Sequence, residues 1–185
     1  MEVASQAAEE AGSLLLKHVH GQLKLGYKEG RANLVTDIDV AAEKSIMAVL
    51  QSEYPDFGII SEESPAITTN SPYTWVIDPL DGTNNYVHGV PYYAVVIALA
   101  SGDEVELGAT YDPVRKELFS AERGRGTRLN GQAVTVGQRA APRECFLGCD
   151  LGYDADKGRT MLEAVGAIWP ELGGLRLMGS AALGL

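Results

Sequence analysis

Residues 40–60 read VAAEKSIMAVLQSEYPDFGII, and the hydrophobic period changes inside this stretch. Val40, Ala42, Ile46, Val49 and Leu50 recur at the spacing of one helical face, and Tyr54-Pro55 closes that run. From Phe57 onward the apolar residues come instead in short runs separated by turn residues, the pattern of strands. Upstream, Val3, Ala7, Ala11, Leu14, Leu15 and His18 predict a long amphipathic helix over residues 2–19, stopped near Gly21. Residues 26–33 carry two glycines with Lys28 and Arg31, and read as a basic loop or loose hairpin. Downstream, strands are expected at 57–60, 73–77, 92–100, 105–111, 117–121 and 133–136. The turns Ser101-Gly102-Asp103-Glu104, Asp112-Pro113-Val114-Arg115 and Leu129-Asn130-Gly131-Gln132 predict an antiparallel meander, with Asn-Gly the strongest hairpin signal. Helices first and strands later predict an α+β layered fold.

Near residues 140–144 the pattern restarts. A strand at 145–149, a helix at 155–169 with a buried stripe of Met161, Leu162, Val165 and Ile168, a strand at 174–178 and a helix opened by Ser180 follow in β-α-β-α order. Residues 1–143 are therefore expected to form one α+β domain and residues 144–185 the beginning of a second, α/β domain. The sequence stops at Leu185, one turn into a helix that needs about two more turns to be useful, so an incomplete C-terminal domain is expected. The apolar surface bared by such an ending would favour a homodimer.

Composition narrows the function. Of 185 residues, 45% are hydrophobic and 22% charged, which suits a folded globular chain. The net charge of −10 opposes any phosphate backbone, and no nucleic-acid partner is expected. The longest apolar run, Tyr92 to Ala100, is less than half of the ~20 residues that span a bilayer, so no membrane partner is expected. The start Met1-Glu2-Val3-Ala4 lacks the basic and apolar regions of a secretion signal, and a cytoplasmic location follows as the default. Cys145 and Cys149 are too few for a disulfide framework and read as reduced and buried. Trp75, Tyr92, Tyr93 and Trp169 lie in apolar runs and are expected in the core.

Three acidic motifs stand at segment ends: Asp37-Ile38-Asp39, Glu62-Glu63-Ser64 and Asp78-Pro79-Leu80-Asp81-Gly82-Thr83. Each of these turns could be merely solvated. Gathered together, however, several carboxylates repel one another unless cations stand between them. Asp78, the Leu80 carbonyl and Asp81 form a set of hard oxygen ligands suited to Mg²⁺. Gly82-Thr83 then opens a helix whose free amides can face an anion.

Asn33-Leu34-Val35-Thr36 with Asp39, Ser61-Glu62-Glu63-Ser64 and above all residues 75–91, WVIDPLDGTNNYVHGVP, resemble the inositol monophosphatase family of Mg²⁺-dependent, lithium-sensitive phosphatases. Gly124-Arg125-Gly126-Thr127-Arg128-Leu129-Asn130-Gly131 and Met178-Gly179-Ser180-Ala181-Ala182 extend the resemblance along nearly the whole sequence. It implies a layered αβαβα sandwich whose first domain, residues 1–143, is the catalytic one. It also implies two or three Mg²⁺ ions: Glu62, Asp78 and the Leu80 carbonyl at the first, Asp78 and Asp81 at the second, Glu62 again at the third. Asp81 and the Gly82 and Thr83 amides would bind the substrate. Thr83, linked to Asp39, would orient the attacking water, so Thr83, Asp39 and Glu62 are the implied catalytic residues. Lys28, Glu29 and Arg31 would belong to a loop approaching the weakest ion.

The implied reaction is hydrolysis of a small phosphorylated metabolite such as inositol 1-phosphate, with fructose-1,6-bisphosphate, histidinol phosphate and 3′-phosphoadenosine 5′-phosphate as alternatives. Two departures accompany the resemblance. Ser61 replaces the usual Gly before the acidic pair, and no Trp-Asp-x-Ala-Ala motif is present to complete the second metal site. The competing expectation is an inactive chain that binds divalent metal or serves as an interaction module.

Overall fold

The computed structural model describes residues 1–27 and 34–184. The motif residue Asn33 and the loop residues Lys28, Glu29 and Arg31 lie outside them. Helices α1 (Glu2–His18) and α2 (Asp37–Glu53) pack on each other and on the main sheet. The buried face of α1 is a stripe of small residues, Ala4, Ala7, Ala8 and Ala11, ended by Leu15. Small side chains allow close approach: a Cβ added at Gly12 would lie 2.6 Å from the Tyr111 ring. Ala42, Ile46 and Leu50 form the matching face of α2.

Strands β1 (Leu25–Tyr27) and β2 (Leu34–Thr36) pair antiparallel, consistent with the loose hairpin. Seven further strands make the main sheet in sequential order: β3 (Gly58–Ser61), β4 (Tyr73–Asp81), β5 (Ala94–Ser101), β6 (Glu104–Asp112), β7 (Glu117–Glu122), β8 (Thr127–Leu129) and β9 (Gln132–Val134). From β4 to β9 the sheet is the expected antiparallel meander. At its last hairpin Asn130 (φ 49°) and Gly131 (φ 80°) both take the positive φ that a two-residue type I′ turn requires. Trp75, Ile77, Val95, Ile97 and Ala109 project from β4, β5 and β6 into the core shared with α1 and α2. This helix layer on a sheet is the α+β layering expected from the sequence.

β3 departs from the meander by pairing parallel to β4. A parallel neighbour usually requires a helical crossover. Here residues 62–72 loop back without one, and Ile67 exchanges backbone hydrogen bonds with Ile59 at 2.8 and 2.9 Å, protecting the outer edge of β3.

A second, two-stranded parallel sheet is formed by β10 (Phe146–Cys149) and β11 (Gly174–Leu177), joined through α4 (Ala155–Ile168) and followed by α5 (Ala181–Gly184). Its packing corrects three expectations. Only Val165 of the α4 stripe is buried; Met161, Leu162 and Ile168 are exposed, because no described element covers that face. Trp169 is 62% exposed on the short turn after α4 rather than in the core. Cys145 and Cys149 are unpaired as expected but only half-buried. The strand expected at 133–136 stops at Val134, and Val136 is exposed. Among the described residues, no helix is long and apolar enough to cross a membrane.

Candidate active site

The parallel register of β3 on β4 builds the centre of the site. Gly58 stands beside Thr74, and the pairing continues to Ser61 beside Ile77, so the next residues along the two strands are Glu62 and Asp78. Two carboxyl groups 16 positions apart in sequence are thereby brought side by side, and they share a hydrogen bond. Burial first, then the charges of Glu62 and Asp81, push the Asp78 carboxyl up from its ordinary value of 3.8 to about 8. A desolvated carboxyl beside two other negative charges resists ionisation until a cation compensates it.

Beyond Asp78 the β4–β5 pairing slips. Asp78 stands opposite Val96, but Asp81 stands opposite Ala94, so three steps on β4 face two on β5. The extra residue is a bulge at Pro79-Leu80, where proline's missing N–H costs no ladder bond. The Leu80 amide turns back to Asp78 Oδ1 at 3.1 Å, and the Leu80 carbonyl accepts from the Thr83 hydroxyl at 3.0 Å. That carbonyl faces the site rather than a neighbouring strand.

Gly82 then takes a left-handed conformation, φ 93°, and caps α3 (Thr83–Val87). Any side chain here would be strained by that φ and crowded by the Tyr92 and Gly179 carbonyls, 3.1 and 3.2 Å from an added Cβ. Thr83 is buried, and its hydroxyl also lies 3.1 Å from Asp39 Oδ1. One hydroxyl proton cannot serve the Leu80 carbonyl and Asp39 at once, so these acceptors compete for it.

Asp39 is held from the other side by α2. Thr36 is the N-cap: its hydroxyl accepts from the Ile38 and Asp39 amides at 3.2 and 3.3 Å, while Asp39 Oδ2 accepts from the Thr36 amide at 2.8 Å and from the Thr36 hydroxyl. This is a capping box. Burial raises the Asp39 carboxyl, opposed by its hydrogen bonds from Thr36 and Thr83.

Asp81 faces elsewhere. Its carboxylate accepts from the Ser180 hydroxyl, the Ala181 amide at 3.2 Å and the Ala182 amide at 3.0 Å, fixing the turn before α5. The structure therefore joins Glu62 to Asp78 and Thr83 to Asp39, while Asp81, within electrostatic reach of Asp78, is bonded to residues 180–182. Accordingly, among the described residues no group of three or more His, Cys, Asp or Glu side chains stands ready to hold an ion. The donor set nonetheless fits a hard divalent cation: carboxylates, one inward carbonyl, and an acid pair that a cation would relieve. Beside Glu62, the buried Ser61 hydroxyl has no hydrogen-bond partner among the described residues.

The roles of two site residues are not legible in the sequence. Glu43 on α2 is completely buried and accepts from the Glu63 amide at 3.2 Å and from the Ser64 hydroxyl. Asn85 bridges the Tyr92 and Met178 carbonyls through its amide nitrogen at 2.7 and 2.6 Å. Asn85 lies inside the 75–91 stretch, yet nothing in its spacing shows a bridge to residue 178.

Comparison with known proteins gives this geometry its lineage. The sequence pattern of the inositol monophosphatase family matches residues 1–185. Nus factor SuhB of Xylella fastidiosa is 36% identical over 187 residues, spanning all of this chain and 68% of that protein. Inositol monophosphatase of Dictyostelium discoideum is 37% identical over 163 residues, which cover 85% of this chain and 60% of the relative. Among solved structures, extragenic suppressor protein suhB from Bartonella henselae superposes with a TM-score of 0.92 at 36% identity, over 99% of this chain and 71% of that one. The Thermotoga maritima IMPase superposes with a TM-score of 0.87 at 31% identity, over 99% and 69%. By sequence pattern, by identity along this chain and by superposition, the chain belongs to the inositol monophosphatase family.

Proposed function

We propose that this protein is a Mg²⁺-dependent phosphomonoesterase acting on a small phosphate ester such as inositol 1-phosphate. The observation that carries this reading is the Glu62–Asp78 pair, two acids placed together by strand register beside an inward carbonyl. Glu62, Asp78 and the Leu80 carbonyl would hold the first cation, and Asp81 would contribute to a second after leaving residues 180–182. Bound there, such cations neutralise the phosphoryl oxygens and the departing alkoxide and acidify water. The chain's own residues complete the chemistry. With its proton directed to Asp39 or to the Leu80 carbonyl, the Thr83 oxygen offers its lone pairs to an O–H of the attacking water. Asp39, fixed by the capping box, keeps that hydroxyl oriented. The Gly82 and Thr83 amides bind phosphate oxygens, and no protein nucleophile is required.

A second reading takes the chain as an interaction module that binds metal without turnover. It rests on the name Nus factor carried by the SuhB relatives. Phosphate release from inositol 1-phosphate with Mg²⁺, with and without lithium, separates the two. Turnover is expected, inhibited by lithium, and Asp78→Asn should reduce it by more than the roughly 10–100-fold typical of outer-shell changes at metal sites. No release by the pure chain would favour the module; unchanged release by Asp78→Asn would show that the metal site lies elsewhere.

A further inference from the structure

Asp39 and Glu43 stand four residues apart on α2, hence on one face and about one helical turn from each other. Both are buried, and each is bonded to a different segment of the site. Asp39 takes the Thr83 hydroxyl from the start of α3, just beyond β4. Glu43 takes the Glu63 amide and the Ser64 hydroxyl from the loop after β3. Glu62 immediately precedes that clamp and is itself exposed to solvent, so the strand pairing behind it and the Glu43 clamp ahead of it fix where its backbone can go. A fully buried carboxylate is costly unless hydrogen-bonded, and the Glu63 and Ser64 donors that satisfy Glu43 both belong to one loop.

We propose that Glu43 is a positioning residue of the metal site: by clamping Glu63 and Ser64 it sets the approach of Glu62 to Asp78, and so the affinity for divalent cation. This inference rests on the reading of Glu62 and Asp78 as metal ligands. Helix α2 then acts as a jig: Asp39 holds Thr83 at the start of α3, and Glu43 holds the loop after β3 at a fixed separation from it.

The test is calorimetric titration of the intact chain with Mn²⁺ as the probe ion, paired with denaturant unfolding of each variant. Glu43→Gln keeps the size but leaves one acceptor oxygen for two donors, and Ser64→Ala removes one donor from the loop alone. Each should weaken Mn²⁺ binding about 10–100-fold while the protein is folded, as outer-shell changes at metal sites do. The double variant should be little worse than Glu43→Gln, since both changes break one clamp. A merely structural Glu43 would lower the unfolding midpoint and leave Mn²⁺ affinity within twofold of wild type; that result, with Asp78→Asn losing binding, overturns the proposal and spares the metal site. If Asp78→Asn binds Mn²⁺ as wild type does, the metal reading fails and this inference falls with it.

Discussion

At the scale of single residues, Asp78 gives the protein a dependence on pH. Burial, with the charges of Glu62 and Asp81, pushes its carboxyl up from an ordinary value of 3.8 to about 8. The folded state thus holds a proton that the unfolded chain gives up more readily. The stabilising contribution is complete below about pH 4 and is lost as pH rises through 8. Thermal unfolding in EDTA should therefore show a midpoint that falls between pH 6 and pH 9. Saturating Mg²⁺ should abolish the trend, because binding needs the ionised carboxylate and releases its proton, which leaves the metal-bound and the unfolded forms equally deprotonated over this range. Apparent Mg²⁺ affinity should then climb with pH and level off above about 8, and titrations in buffers of different ionisation enthalpy should report proton release. A midpoint in EDTA that rises over this range would mean that Asp78 is ionised in the free protein.

At the scale of elements, α2 depends on its first turn. Thr36 is buried and joins three features: the end of β2, the N-cap of α2 and the orientation of Asp39. Thr36→Ala removes the cap and a donor to Asp39, and should cost about 1–2 kcal/mol in urea unfolding, the upper part of the range for lost caps. It should also slow phosphate release, since Asp39 would hold Thr83 less firmly. Thr36→Ser keeps the hydroxyl and should recover both, whereas a loss of stability with full activity would uncouple cap from site. This box could have been read from the sequence, because Thr36-x-x-Asp39 before an apolar period is a start signal. The helices, the meander and the Asn130-Gly131 turn were legible because period and turn chemistry are local. The β3–β4 pairing was not, since parallel register is a long-range choice that no hydrophobic period encodes. Nor was Glu43: a charged residue inside a helical run reads as solvent-facing, and only the returning loop buries it. The α4 stripe failed for the converse reason, in that a period identifies an apolar face but not what covers it.

At the scale of the whole molecule, the second sheet meets the first through a polar clasp rather than a shared core. Asp81 holds residues 180–182, Asn85 holds Met178, and the Tyr92 hydroxyl donates to the Leu183 carbonyl at 2.6 Å. The Arg115 guanidinium packs over the Tyr92 ring at 5.4 Å and ion-pairs with the buried Asp112, which keeps Tyr92 in place. In contrast, the apolar side chains of Phe146, Leu162 and Trp169 in the second unit are 67%, 50% and 62% exposed. Few buried apolar contacts and a handful of hydrogen bonds describe a region that opens below the global unfolding energy. Hydrogen exchange should therefore find the amides of β10 and β11 exchanging well before those of β4, β5 and β6. Asn85→Ala breaks the bridge to Met178 but touches none of the carboxylates, and should widen that gap, speeding exchange in β11 by about tenfold for each 1.4 kcal/mol lost while leaving β5 unchanged. Because Asp81 serves the clasp and is also proposed to bind the second cation, Mg²⁺ draws on the same carboxylate that anchors α5. Exchange at residues 180–184 should accelerate on adding Mg²⁺ while β4 slows, and equal slowing throughout would show that Asp81 keeps its clasp when metal binds.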